Sequence, residues 1–118
     1  MKYPRLYGVV IDIDGTPLLF ESTQGERDGK MLGMLGTTRM EMFYPRKKYA
    51  GHNVAVVTNA YVVKSDGNRN SVASLMCGGE VFGKVIVLRL NGDGFKCLMT
   101  LKKARKIKEA IQYEYGFS

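Results

Sequence analysis

Apolar, β-branched segments recur along this chain, but too little helix-forming sequence lies between them to link them as parallel neighbours. A parallel pair needs a crossover of a dozen or more residues, usually a helix. Between Thr58 and Val81 there is room for one short helix, and between Asp14 and Val54 helix-forming sequence is sparse. The expected architecture is therefore α+β: a mixed, mostly antiparallel sheet with two short helices and a basic amphipathic C-terminal helix. With 118 residues the chain is read as a single domain, 1–118.

Local signals place the elements. Residues 7–13 read as a first strand, reversed by the turn Asp14-Gly15-Thr16-Pro17 into a hairpin partner at 18–20. Residues 21–29 are polar without an apolar period and read as a loop. Met31, Leu32, Met34 and Leu35 suggest a short helix over 30–36. Residues 39–44 alternate as a strand that Pro45 stops, and 49–53 connect it to a strand over 54–63. A turn at 64–68 precedes a helix at 70–76, with Asn70 as N-cap and Gly78-Gly79 as stop. Residues 81–90 read as a strand, and Asn91-Gly92-Asp93-Gly94 as a turn into a hairpin strand at 95–98. Thr100 caps the last helix, Leu101 to Tyr115. Leu101, Ala104, Ile107 and Ile111 form its apolar stripe. Lys102, Lys103, Arg105, Lys106 and Lys108 lie mainly off that stripe, a pattern that serves phosphate contact or simple solvation.

Eighteen Lys and Arg against eleven Asp and Glu leave a net charge of +7. That surplus favours anionic partners and excludes a mimic of DNA, which needs an acidic surface. Cys77, Cys97 and the single His52 are too few for a structural zinc site, so no metal and no cofactor is expected. Two reduced thiols suit a cytoplasmic protein. No apolar run approaches the roughly 20 residues that span a bilayer, so no membrane partner is expected. The N-terminal Met1-Lys2-Tyr3-Pro4-Arg5, followed by Asp12 and Asp14, does not read as a signal peptide.

Asp12-Ile13-Asp14-Gly15-Thr16 resembles the first motif of the haloacid dehalogenase phosphohydrolases. The resemblance implies Asp12 as nucleophile and Asp14 as general acid. It further implies Thr58 as phosphate ligand, Asp93 as magnesium ligand, and Lys84 or Lys96 as neutralising lysine. The family usually closes with paired acidic residues after a late strand, whereas Asp93 stands alone.

A second resemblance covers residues 39–90. Met40-Glu41-Met42-Phe43, the segment Asn53 to Asn59, Asp66-Gly67, Asn70 with Ala73, and Gly83 follow one another in order. The series resembles a family of small uncharacterised domains from phages and mobile elements. Ala60 stands where that family usually carries an acidic residue. The resemblance implies a fold and a genomic setting, with interference in host defence as its context, rather than a reaction.

The leading expectation is a small non-enzymatic binding protein engaging an anionic partner: a nucleotide signal, nucleic acid or a nucleic-acid-containing defence complex. Its candidate anion-binding residues are Arg39, Arg46, Lys47, Lys48, Lys64 and Arg69, which flank the second and third strands. Asn59, Asn70, Tyr44 and Tyr49 are candidate polar or stacking contacts, with capping and core packing as their structural alternatives. A compact magnesium-dependent phosphohydrolase and a purely protein–protein interaction module are the alternatives. A homo-oligomer is compatible with each.

Overall fold

The computed structural model describes residues 4–94 and 96–116. Six strands, β1 (Leu6–Ile11), β2 (Pro17–Ser22), β3 (Met40–Phe43), β4 (Val54–Asn59), β5 (Val85–Leu90) and β6 (Lys96–Cys97), form one sheet. Three helices accompany them: α1 (Arg27–Leu35), α2 (Ser71–Cys77) and α3 (Leu101–Tyr115). The strand order is β2-β1-β5-β4-β3, with β6 paired to β5, and every pairing among the described strands is antiparallel. The fold is thus α+β, as the shortage of crossover helices predicts.

The sheet is covered on both faces. Val9, Ile11, Val54, Val56, Val85 and Val87 pack with α2 (Val72, Ala73, Met76) and α3 (Ala104, Ile107, Ile111). Val10, Val57, Ile86 and Leu88 turn the other way, onto Met31 and Leu35 of α1. This explains why the central strands are continuous apolar runs instead of alternating ones. A strand that contributes to two cores has no solvent-facing side to make polar.

Several boundaries differ from those expected, each for a tertiary reason. The segment 21–29 is no loop: β2 continues to Ser22, and α1 begins at Arg27. Met31 and Leu35, one turn apart, anchor α1 on the sheet, and the Glu26–Lys30 pair at 3.3 Å supports its first turn. β1 stops at Ile11 because the Asp12 carbonyl accepts the Gly15 N–H, closing the turn. β4 stops at Asn59, whose side-chain oxygen accepts the Tyr61 N–H at 2.7 Å.

The expected strand at 81–90 begins only at Val85. Residues 81–83 pair instead with the segment before α2. The Asn70 N–H donates to Val81 O, the Gly83 N–H donates to Asn68 O, and Phe82 bridges Arg69. Gly83 makes this departure at φ +81°.

Other expectations hold closely. Asn70 caps α2, Gly78 ends it in the left-handed conformation, and Thr100 caps α3. β6 forms at Lys96–Cys97, while Phe95, the expected start of that strand, lies outside the described residues. Met1, Lys2 and Tyr3 lie outside them as well. Beyond β6, Met99 exchanges two 2.7 Å hydrogen bonds with Tyr7, so α3 starts beside the first residues of β1. No helix of the described residues is long and apolar enough to cross a membrane.

Candidate nucleic-acid interface

β1 and β4 both pair antiparallel with β5, so they run in the same direction and end at the same edge of the sheet. Ile11, Val85 and Thr58 lie in one row there. Asp12 and Asp14 follow that row, and Thr58 stands within it. Their side chains are nonetheless engaged separately. The Asp12 carboxylate accepts the Ile13 N–H at 2.8 Å, and the Asp14 carboxylate accepts the Thr16 N–H at 2.9 Å. Thr58 is buried and donates its hydroxyl to the Phe82 carbonyl at 3.1 Å. Lys84 precedes β5 at this edge, whereas Asp93 lies past its far end and Lys96 pairs with its last residue, Leu90. The length of β5, roughly 17 Å at strand rise, separates Asp93 from the Asp12 turn. Among the described residues no three His, Cys, Asp or Glu side chains group closely enough to hold a metal.

The six cations expected to share an anion site do not meet. Met40 pairs with Asn59 and Phe43 with Val56. Arg39 therefore sits where β4 ends, near the connection that carries Lys64 and Arg69. Arg46, Lys47 and Lys48 leave from the opposite end of β3, in the connection 44–53. All six are exposed, but Lys47 is committed to an ion pair with Glu114 of α3.

The polar and aromatic candidates also divide. Tyr49 is buried, at 1% exposure, and its hydroxyl lies 2.6 Å from that of Tyr115. It is a core residue that ties the connection 44–53 to the end of α3, and it cannot stack on a base. Burial first, and then the Tyr115 hydrogen bond, push its phenol well above the usual tyrosine range. Asn70 is fully buried and structural, as its capping alternative holds. Asn59 is half-buried and closes the turn after β4. Tyr44 remains on the surface, at 56% exposure, with the Lys96 ammonium 6.0 Å from its ring centre. Burial pushes the Cys77 thiol up to about 11, which makes it a poor nucleophile.

The basic face of α3, whose pattern suits either phosphate contact or solvation, is the more coherent surface. Ala104, Ile107 and Ile111 face the sheet, so the helical period turns Lys102, Lys106 and Tyr113 away from it, together with the exposed carboxylate of Glu109 between them. Arg105 flanks this ridge and is also exposed. None of Lys102, Lys103, Arg105 or Lys106 has an ion-pair partner among the described residues. Tyr113 is 94% exposed, the most open of the exposed large hydrophobic residues. The signal was in the spacing: an aromatic seven residues beyond Lys106 on the same helical face.

Concavities mark the surface among the described residues. One of about 620 Å³ lies between the β1–β2 turn, α2 and the last turn of α3, and Tyr113 stands at its rim. A second, about 590 Å³, is lined by Gly36, Thr37, Asn59 and Tyr61. A smaller one of about 320 Å³ adjoins Arg39 and Glu41.

No protein-family model matches the chain, and no curated protein matches it. Among solved structures the chain is similar to one titled "Crystal structure of small RNA methyltransferase HEN1", with a TM-score of 0.62 and 17% identity. The match covers 91% of this chain and 16% of the other, so it concerns a small part of that protein. At this identity the likeness speaks for the fold alone.

Proposed function

We propose that this chain is a non-enzymatic binding protein for single-stranded nucleic acid, and that the outer ridge of α3 is its contact surface. The observation that carries the reading is the unpaired set Lys102, Arg105 and Lys106 on the same exposed side of one helix as Tyr113. Unpaired cations are open to phosphates, and an open aromatic ring stacks on bases of any identity. Arg46 and Lys48, exposed and without an ion-pair partner among the described residues, supply outlying positive charge. The structural neighbour is a small RNA methyltransferase, which makes RNA the first ligand to try. The phage or mobile-element setting and a part in countering host defence rest on the sequence resemblance over residues 39–90, and the cytoplasmic location on the two free thiols.

The test is a titration of labelled single-stranded RNA and DNA at salt concentrations from about 50 to 200 mM. Affinity of the unaltered protein falls as salt rises. The pair Lys102→Glu with Lys106→Glu weakens binding and lowers the logarithmic salt slope by about 1.4, two contacts at ~0.7 each for single strands. Failure of the unaltered protein to bind either strand at low salt overturns the reading, and a protein-directed role replaces it.

A further inference from the structure

The cleft beside Tyr113 joins the nucleic-acid ridge to a turn that the phosphatase resemblance leaves unexplained. One wall is the β1–β2 turn with Asp14 and Thr16; the other is the end of α3 with Gln112, Tyr113 and Tyr115. Val72 of α2 lies between them. Val72 is buried and the turn packs against it: Gly15 holds φ +87°, and a Cβ there would stand 3.0 Å from a Val72 methyl. The walls are therefore set by the core, while Asp14, Gln112 and Tyr113 are open to solvent.

We propose that this cleft receives one unpaired base of the strand bound along α3, and that it prefers guanine. The proposal rests on the nucleic-acid reading of α3. Tyr113 is common to both surfaces, so a strand following Lys102 and Lys106 passes the mouth of the cleft two helical turns beyond Lys106. Its volume is of the size of small-molecule sites and admits a base with room for the sugar.

The polar groups select the ligand. A carboxylate offers about four acceptor positions, and the Thr16 N–H uses one of those on Asp14. A carboxylate repels phosphate, so the cleft suits a neutral group that carries N–H donors. Guanine presents two adjacent donors, N1–H and the 2-amino group, and its O6 suits the Gln112 amide or the Thr16 hydroxyl. Adenine and cytosine present an amino group alone, and uracil a single imino N–H. The ring of Tyr113 supplies the stacking surface. Asp14 thus acts as the acceptor that reads a base edge.

Two measurements test this together. The first titrates guanosine, adenosine, cytidine and uridine, which carry no phosphate, into ¹⁵N-labelled protein and follows the amide signals of residues 14–16 and 112–115. The second compares oligouridylates carrying a single central G, A, C or U. The expected result is signal movement at the cleft with guanosine above the others, and about 5- to 100-fold tighter binding of the G-containing strand. Asp14→Asn keeps an oxygen to accept the Thr16 N–H, so the turn persists, but the guanine preference disappears. Tyr113→Ala weakens all four strands, and Tyr113→Phe does not.

Equal affinity for the four strands, or a guanine preference unchanged in Asp14→Asn, overturns the proposal. If the strands bind equally but Lys102→Glu with Lys106→Glu still weakens them, the ridge stands and the cleft falls. If guanosine moves the cleft signals while no strand binds, the cleft stands as a nucleoside site and the ridge reading falls.

Discussion

The side-chain amide of Asn70 donates to the main-chain carbonyl of Ile11 at 3.1 Å, joining residues 59 positions apart. The same amide donates to the Gly83 carbonyl at 3.0 Å, and the side-chain oxygen accepts the Ala73 N–H at 3.0 Å. One fully buried residue thus caps α2, holds the last carbonyl of β1 and fixes the segment that leads into β5. That is the edge from which the Asp14 turn projects.

Asn70→Ala strips the Ile11 and Gly83 carbonyls and the Ala73 N–H of one buried hydrogen-bond partner each. A buried polar group left unsatisfied costs about 1–3 kcal/mol, so the variant should lose roughly 3 kcal/mol in denaturant unfolding. Asn70→Ser retains a capping oxygen and loses the amide donors, so it should fall between the two. Equal stability of all three proteins would show that this junction does not hold the fold.

The inner and outer faces of α3 should respond oppositely. Ile111→Ala opens a cavity in the core and should cost about 2–5 kcal/mol. Lys106→Ala touches only solvent and should stay within about 0.5 kcal/mol of the parent. Calorimetric or chemical unfolding of the two variants separates a docked helix from a loose one.

Tyr49 makes stability depend on alkaline pH. Its phenol is held protonated in the fold, above the ordinary tyrosine value of about 10. Its contribution is therefore complete below about pH 10 and declines as pH rises toward the higher value of the folded state. Tyr49→Phe gives up the hydrogen bond to Tyr115, about 1 kcal/mol at neutral pH, and loses this alkaline dependence. Unfolding curves between pH 8 and about 11.5 should therefore converge for parent and variant as pH increases. Parallel curves would remove Tyr49 as the source.

Gly83→Ala places a side chain at φ +81°, with its Cβ 2.9 Å from a Val62 methyl. The strained backbone and the clash together should cost roughly 1–3 kcal/mol, seen as a lower thermal midpoint. Adding Val62→Ala should recover the steric part and leave the backbone part. Full recovery in the double variant would mean that the left-handed conformation costs nothing here.

Helix α3 was legible from the amino acids alone, from Thr100 to Tyr115, because a cap and a three-to-four-residue apolar period are written in adjacent positions. The same holds for the cap and stop of α2, and for an antiparallel sheet, which follows from connections too short for crossovers. What only the tertiary structure decided are relations between distant segments. The order β2-β1-β5-β4-β3, with helices on both faces, carries Asp93 away from Asp12. It also draws residues 81–83 out of the sheet and buries Tyr49 against Tyr115. Local periodicity fixes which side of an element is apolar. Which elements meet, and so which charges stay unpaired, is set by long-range pairing that no single segment encodes.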